Sequence, residues 1–256
     1  MMGIWAVFKK EMRLYFTSPV AYVVFTFFLL IVGYFFYSIF AFYNLTSMQA
    51  AMNPAFARDL NVTDAIMRPL FSNTGIILLF FMPMLTMRLF AEEKRSGTIE
   101  LLLTFPVRDG EVLLGKFVAA MALYIMLLGC TALYPAIVGY FARVEWGPLL
   151  SGYLGLVLLG CSFLAVGVLV SSLTENQIVA SFATFGILLG LWVIGWSADL
   201  VGGNWRTLFQ YLSILEHLDS FGRGVIDTKD VVYYLSVIAL SLFLTLRSLE
   251  SKRWRG

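Results

Sequence analysis

Long runs of apolar residues, separated by short polar segments, dominate this chain. A helix needs about 20 residues, at 1.5 Å of rise each, to cover the roughly 30 Å of hydrocarbon in a bilayer. Six runs are near that length, and we predict spans at Val20–Phe42, Gly75–Phe90, Val112–Tyr140, Leu149–Ser171, Ile178–Ser197 and Val231–Leu246. The pattern therefore predicts an all-α integral membrane protein with six transmembrane helices.

The segment before the first span has the pattern of an amphipathic helix. Its apolar residues share one side of a helical wheel and its basic residues share the other: Ile4, Trp5, Phe8, Met12 and Tyr15 against Lys9, Lys10 and Arg13. Such a helix is expected to lie in the plane of the membrane interface. Two roles stay open for this helix: it is a membrane anchor that orients the first span, or it also provides a surface that contacts a cytoplasmic partner.

Composition agrees with membrane insertion and narrows the class of transporter. Of the 256 residues, 60% are hydrophobic and 13% are charged, whereas soluble domains have about 25% charged residues. The cores of the first, fourth, fifth and sixth spans contain no ionisable acid or base. Pumps use such residues as proton relays. A proton- or sodium-driven secondary transporter is therefore disfavoured, although ions coordinated by the backbone stay open.

The distribution of positive charge predicts the orientation. If both termini are cytoplasmic, twelve of the 18 Lys and Arg residues lie inside: Lys9, Lys10, Arg13, Arg88, Lys94, Arg95, Arg108, Lys116, Arg247, Lys252, Arg253 and Arg255. Arg58, Arg68, Arg143, Arg206, Arg223 and Lys229 lie outside. This bias satisfies the positive-inside rule. Cys130 and Cys161 fall inside spans and His217 is the sole histidine, so we predict no zinc or haem site.

The connection between the second and third spans, RLFAEEKRSGTIELLLTFPVRDGEVLLGKF, is the one dense polar cluster. Gly110, Gly115 and Lys116 match part of a phosphate-binding loop, but Phe117 replaces the Ser or Thr that would hold magnesium. We interpret the pattern instead as a helix start: Asp109 caps the third span, the glycines lie in its first turns, and Lys116 extends to the membrane interface.

A short helix is predicted earlier in the same loop. Gly97 permits a chain reversal, Thr98 caps the helix, Glu100 lies in its first turn and Pro106 ends it. Leu101 to Leu103 give it an apolar face. Two interpretations are open: a docking element for a partner, and an interfacial loop whose leucines enter the lipid.

Two further patterns concern packing. The external stretch LSILEHLDSFGRGVIDTKDVVYYL predicts an amphipathic helix through about Phe221, a break at GRG, and Asp227 or Thr228 as the cap of the sixth span. The pairs Gly186 and Gly190, and Ser151 and Gly155, permit close helix approach. We favour contacts within the chain over a dimer contact for both pairs.

The stretch EEKRSGTIELLLTFPVRDGEVLLGKF is similar to the loop signature of ATP-binding cassette (ABC) permeases of the type-2 exporter family. An acidic pair, Gly-Thr, Glu-Leu-Leu, Pro and Gly-Lys recur there in this order. The six spans, the basic amphipathic N-terminal helix and the break before the last span also fit, so the resemblance covers the whole chain. The stretch HLDSFGRGVIDTKDVVYYL further resembles the external segment of the subgroup associated with gliding motility.

This resemblance implies a single permease domain over residues 1–256 with no nucleotide-binding domain. Two permease subunits, identical or related, would form the translocation pathway in a bacterial inner membrane. Two copies of a separate ATPase would bind ATP and Mg²⁺, so the chain itself would be no enzyme and would hold no cofactor or metal. An accessory membrane or extracytoplasmic subunit fits this arrangement, and a nucleic acid partner does not.

The resemblance also implies that the short helix from Thr98 to Phe105 is a coupling helix seated in the ATPase. The residues that match the family motif are Glu92, Glu93, Gly97, Thr98, Glu100, Leu101 and Pro106. An alternative function stays open, in which the chain transmits ATPase-driven motion to an external partner without moving a solute. The sequence leaves open the cargo, the direction of transport, and whether the permease pair is a homodimer or a heterodimer.

Overall fold

In the computed structural model, residues 2–52, 61–98, 108–142, 144–198 and 204–253 are described. This part of the chain is helical and contains no strand. Six segments are long and apolar enough to cross a membrane: Ala21–Gln49, Thr63–Arg95, Asp109–Phe141, Trp146–Leu173, Gln177–Ser197 and Thr228–Ser251. The predicted fold class and the number of spans are therefore confirmed.

Eleven α-helices and one π-helical turn make up the described chain. In order they are α1 (Met2–Thr17), α2 (Pro19–Met52), the π-helical turn Thr63–Met67, α3 (Arg68–Thr86), α4 (Ala91–Arg95), α5 (Asp109–Cys130), α6 (Leu133–Phe141), α7 (Trp146–Leu173), α8 (Gln177–Ala198), α9 (Asn204–Leu212), α10 (Glu216–Gly222) and α11 (Thr228–Arg253). Span three combines α5 and α6, and α11 forms span six.

The first two spans are longer than the hydropathy pattern predicts. Helix α2 has 34 residues, which gives it a length of about 51 Å, and the second span starts at Thr63 rather than near Gly75. Asp64 and Arg68 interrupt the apolar run there, although Ile66 and its apolar neighbours are buried. Much of the segment predicted as an external connection is thus helical.

Helix α7 occupies the centre of the bundle and contacts α3, α5, α8, α10 and α11. Spans two, three and four are mostly buried in protein, whereas spans one, five and six expose most of their side chains. The Ser151 hydroxyl of α7 donates to Phe221 O (2.7 Å), so the predicted intrachain contact of this region is confirmed. For Gly186 and Gly190 the contact stays a prediction, since no described atom lies within 4 Å of a Cβ built at either glycine.

The described part of the segment between spans five and six contains two helices, α9 and α10, and α10 ends at Gly222, close to the predicted end near Phe221. The turn between α9 and α10 forms because Ile214 N donates to Leu191 O of α8 (3.3 Å). The predicted break lies at Gly224, whose φ of 84° favours glycine. Asp227 Oδ1 then accepts from Lys229 N (3.1 Å), which confirms Asp227 as the cap of the sixth span.

A buried polar group joins the segment between spans five and six to α11. His217 Nδ1 lies 2.7 Å from Asp230 Oδ1, and His217 Nε2 lies 3.0 Å from Tyr211 O. The Ser220 hydroxyl donates to the second oxygen of Asp230, and the imidazole stacks on Tyr233 with a centroid distance of 4.0 Å. The described residues contain no group of His, Cys, Asp and Glu that could hold a metal ion.

Candidate coupling site

The start of the polar loop is fixed to the centre of the bundle. Phe90 N and Ala91 N, at the beginning of α4, both donate to Ser171 Oγ of α7 (3.1 Å each). Ser171 therefore satisfies two backbone donors that a helix start leaves without an intrahelical acceptor. At the other end of α4, the buried Lys94 ammonium donates to Ser172 O, also on α7. Helix α4 is thus held at both ends by one helix.

The two acidic residues of α4 face opposite directions. Glu92 is exposed and accepts a hydrogen bond from Arg88 Nε (2.9 Å), so the two residues, four positions apart, form a surface ion pair. Arg88 also donates to Ser18 Oγ (2.9 Å), between α1 and α2. Glu93 turns inward, and its side chain is only 12% exposed. One acid of the pair is therefore available at the surface while the other belongs to the interior.

Glu93 belongs to a charge cluster formed with Lys10, Glu11 and Lys116. Lys116 Nζ donates to Glu11 Oε1 (2.7 Å) and to Leu89 O (2.6 Å), and it lies 3.0 Å from Glu93 Oε1. Lys10 Nζ donates to the same Glu93 oxygen (2.6 Å). The two ammonium groups balance the two carboxylates. The cluster connects α1, α4 and the third span.

The predicted extension of Lys116 to the membrane interface is wrong. Its side chain is 1% exposed, and its ammonium donates hydrogen bonds to Glu11 Oε1 and Leu89 O beside the ion pair with Glu93. The interior position is tolerable because a buried charge that is paired and hydrogen-bonded avoids the cost of an isolated one. The predicted cap is also displaced by one residue, since Asp109 is the first residue of α5 and Arg108 is its N-cap.

Gly115 lets α1 approach the third span closely. A Cβ built at Gly115 would lie 2.7 Å from Val7 Cβ and 3.0 Å from Ile4 O. Any larger residue would push the two helices apart. The close approach brings Glu11, one turn beyond Val7 on α1, within reach of Lys116. Gly115 and Lys116 thus act together: Gly115 allows α1 to pack closely, and Lys116 forms an ion pair with Glu11 of α1.

The charge of Lys10 is stabilised by its place in the cluster. Partial burial alone would lower the pKa of this ammonium, but the hydrogen bond and the negative charge of Glu93, together with Glu11, raise the pKa above its usual 10.5. The ammonium stays charged at neutral pH, and its contribution to stability is lost only as the pH rises through the elevated pKa. A cavity of about 360 Å³ lies beside the cluster, between α1 and the loop.

Gly97 lies in the turn that directly follows α4. Gly97 has a φ of 70°, which confirms the predicted need for glycine at this position. The Thr98 hydroxyl lies 2.8 Å from Ser96 Oγ and donates to Glu93 O (3.4 Å). Glu100, Leu101, Pro106 and nearly all of the predicted coupling helix lie outside the described residues.

Sequence reasoning placed Glu93 in the loop motif but missed its partners Glu11, Lys10 and Lys116. One signal could have found them. Glu11 is the single acid of α1, and it lies seven residues after Ile4 and four before Tyr15, on the apolar side of the helical wheel. An acid on an apolar face predicts a buried cationic partner. The partner itself lies 105 positions away.

A bundle of six spans with an amphipathic N-terminal helix, bound by buried charges to the loop between spans two and three, has the character of a membrane permease subunit. The family model described as ABC-2 family transporter protein matches residues 5–250. The chain therefore belongs to this family.

Two curated relatives are similar to part of the chain. A probable ABC transporter permease protein NosY from Stutzerimonas stutzeri is 34% identical over 127 residues, which is 45% of this chain and 44% of the relative. A protein of the same name from Pseudomonas aeruginosa is 34% identical over 123 residues, 44% of this chain and 43% of the relative. The matched part spans less than half the length of each relative. These comparisons do not support the resemblance to the gliding-motility subgroup.

Proposed function

We propose that this chain is the permease subunit of an ABC exporter in a bacterial inner membrane. Two such subunits, identical or related, form the translocation pathway. Two separate ATPase subunits bind ATP and Mg²⁺ and dock on the loop after α4. The observation that carries the proposal is the charge cluster, because it connects α4, which leads into this loop, to α1 and to the third span.

The cluster supplies a route by which motion of the loop reaches the membrane. A displacement of α4 moves Glu93 relative to Lys116 on the third span and Lys10 on α1. The contacts of Ser171 and Ser172 transmit the same displacement to α7. ATP binding biases the permease only if the ATPase makes different contacts with the two permease states. Because Glu93 is buried, breaking its ion pairs with Lys10 and Lys116 is costly unless new contacts replace them.

The residues of the loop divide into two groups in this proposal. Glu93 and Gly97 fix the shape and position of the loop. Glu92 and Thr98 are exposed and contact the ATPase, as do Glu100 and Leu101 on the coupling helix, which Pro106 ends. Exposed charges at the rim of an interface govern pairing and association rate more than affinity.

The proposal is tested by expressing the chain together with a candidate ABC ATPase from the same genome and purifying the permease. We expect the ATPase to co-purify, and we expect its activity to rise when both are placed in vesicles. Glu93→Gln should reduce this rise by about tenfold or more, because removing one charge from a buried pair costs several kcal/mol. Glu250→Gln, which removes only an exposed pair with Arg247, is the matched control.

The same vesicles distinguish export from mechanical transmission. An exporter moves a solute across the membrane in an ATP-dependent manner when candidate solutes are supplied. A subunit that transmits motion to an external partner stimulates ATP hydrolysis without solute movement, and stimulation then depends on that partner. If the ATPase neither co-purifies nor responds to the permease, the coupling assignment is wrong in both forms.

A further inference from the structure

The outward face of α1 carries basic and aromatic side chains and no acid. Its single acid, Glu11, points inward to Lys116. The exposed face includes Trp5 (57% exposed) and Phe16 (42%) together with Lys9 and Arg13. Trp5 was predicted on the apolar side of α1 and lies instead on the basic side, beside Lys9. Among the described residues, neither Lys9 nor Arg13 forms an ion pair with a carboxylate, and Lys9 Nζ lies over the Trp5 ring at 5.3 Å from its centroid.

This face continues into the lipid-facing side of the first span. Helix α2 begins at Pro19, two residues after α1 ends, and its early turns expose Tyr22 (57%) and Phe27 (57%). The Tyr22 hydroxyl donates to Phe16 O (3.1 Å), and the two rings lie 6.5 Å apart in an edge-to-face arrangement. The surface that surrounds the first span therefore reaches the aromatic residues of α1.

We infer that the outward face of α1 binds anionic phospholipid, with Lys9 and Arg13 contacting headgroup phosphates and Trp5 and Phe16 in the boundary between headgroups and acyl chains. Tryptophan is enriched at this depth, and basic side chains close to the surface attract anionic lipids. Continuity with the first span favours a membrane surface over a soluble partner. The same binding presses the opposite face of α1, which carries Glu11, against the third span.

Fluorescence quenching tests this inference on the purified full chain. The protein is placed in vesicles of phosphatidylcholine with a fixed minor fraction of phosphatidylglycerol, and either one lipid or the other carries brominated acyl chains. The quenching of Trp5 is the difference between the protein and its Trp5→Phe variant. One basic side chain enriches anionic lipid by about fivefold, so brominated phosphatidylglycerol should quench Trp5 at least about twofold more, per molecule, than brominated phosphatidylcholine.

The double variant Lys9→Gln/Arg13→Gln should bring this ratio to about one, since Trp5 stays in lipid but loses the anionic preference. Arg13→Gln alone should give an intermediate ratio and leaves the contact between Lys9 and Trp5 in place. Arg247→Gln removes another exposed cation, on α11, and should leave the ratio unchanged.

Equal quenching by both lipids in the unaltered protein would overturn the inference and reduce α1 to an apolar anchor. Quenching by neither lipid would overturn it in favour of a soluble partner on this face. The measurement uses no ATPase, so its failure is distinguishable from a failure of the proposed coupling.

Discussion

Lys116 has its ammonium group in the interior, with a side chain that is 1% exposed. This is possible because Glu11 and Glu93 supply two carboxylates and Lys10 restores neutrality to the four residues. A buried ion pair of this kind contributes little compared with well-packed apolar residues, but the loss of one partner leaves an uncompensated charge. The cluster is therefore sensitive to single substitutions.

Lys116→Met tests this sensitivity, since methionine preserves the length and most of the volume of the side chain. The variant leaves Glu11 and Glu93 with Lys10 as their one cation, so we expect a loss of about 3 to 5 kcal/mol in the free energy of unfolding. Thermal unfolding of the purified protein in detergent measures it. Arg247→Met, at an exposed pair with Glu250, should cost about 1 kcal/mol or less. Similar effects of the two substitutions would contradict the description of the cluster.

At the scale of elements, α1 is attached to the third span by a close helix contact at Gly115. Alanine stabilises a helix relative to glycine by up to about 1 kcal/mol. At Gly115 this preference is opposed by the contact with Val7, which a Cβ would meet at 2.7 Å. Packing therefore decides the sign of the effect at this position.

We expect Gly115→Ala to destabilise the protein by about 1 to 3 kcal/mol, because an inserted methyl group forces α1 away from α5. Gly110→Ala is the matched control on the same helix, since no described atom lies within 4 Å of a Cβ there. It should be neutral or stabilising. Unfolding in detergent compares the two variants, and a stabilising Gly115→Ala would show that α1 does not pack as described.

Helices α9 and α10 are joined to α11 through His217, Ser220 and Asp230, which lies in the first turn of α11. Asp230 accepts hydrogen bonds from two side chains, His217 and Ser220. Asp230→Asn should cost about 1 to 3 kcal/mol, because an amide cannot replace both carboxylate acceptors. Asp227→Asn should leave stability nearly unchanged, because asparagine caps a helix as well as aspartate. Equal losses for these two acids would argue against the buried group.

At the scale of the whole molecule, hydropathy predicted the six spans because lipid requires long apolar helices whose backbone groups are satisfied internally. It missed the start of the second span because Asp64 and Arg68 interrupt the apolar run. It also missed the charge cluster, because periodicity reports on neighbours along a helix. Lys116 and Glu11 meet across 105 positions. The loop motif was found by its resemblance to the family, whereas the partners of Glu93 could be identified only from the three-dimensional structure.

The orientation of the molecule is a separate prediction from the distribution of Lys and Arg. Reporter domains fused after Gly202, between the fifth and sixth spans, and at Gly256 should lie on opposite sides of the membrane, with Gly256 in the cytoplasm. At each site we fuse, in separate experiments, an enzyme that is active only outside the cytoplasm and a fluorescent protein that is fluorescent only in the cytoplasm. Activity of both fusions on the same side would contradict the topology.

The coupling of ATP hydrolysis to the membrane is tested most directly by ATPase stimulation with variants of the loop. Gly97→Val strains a residue whose φ is 70°, and Glu100→Lys reverses a charge of the coupling helix. Thr98→Ala removes the hydroxyl that we predict to cap the coupling helix, and such a cap contributes about 1 kcal/mol. With unchanged membrane abundance, we predict strong loss of stimulation for the first two and modest loss for the third. Full stimulation by all three would show that the loop is an interfacial anchor and not a coupling element.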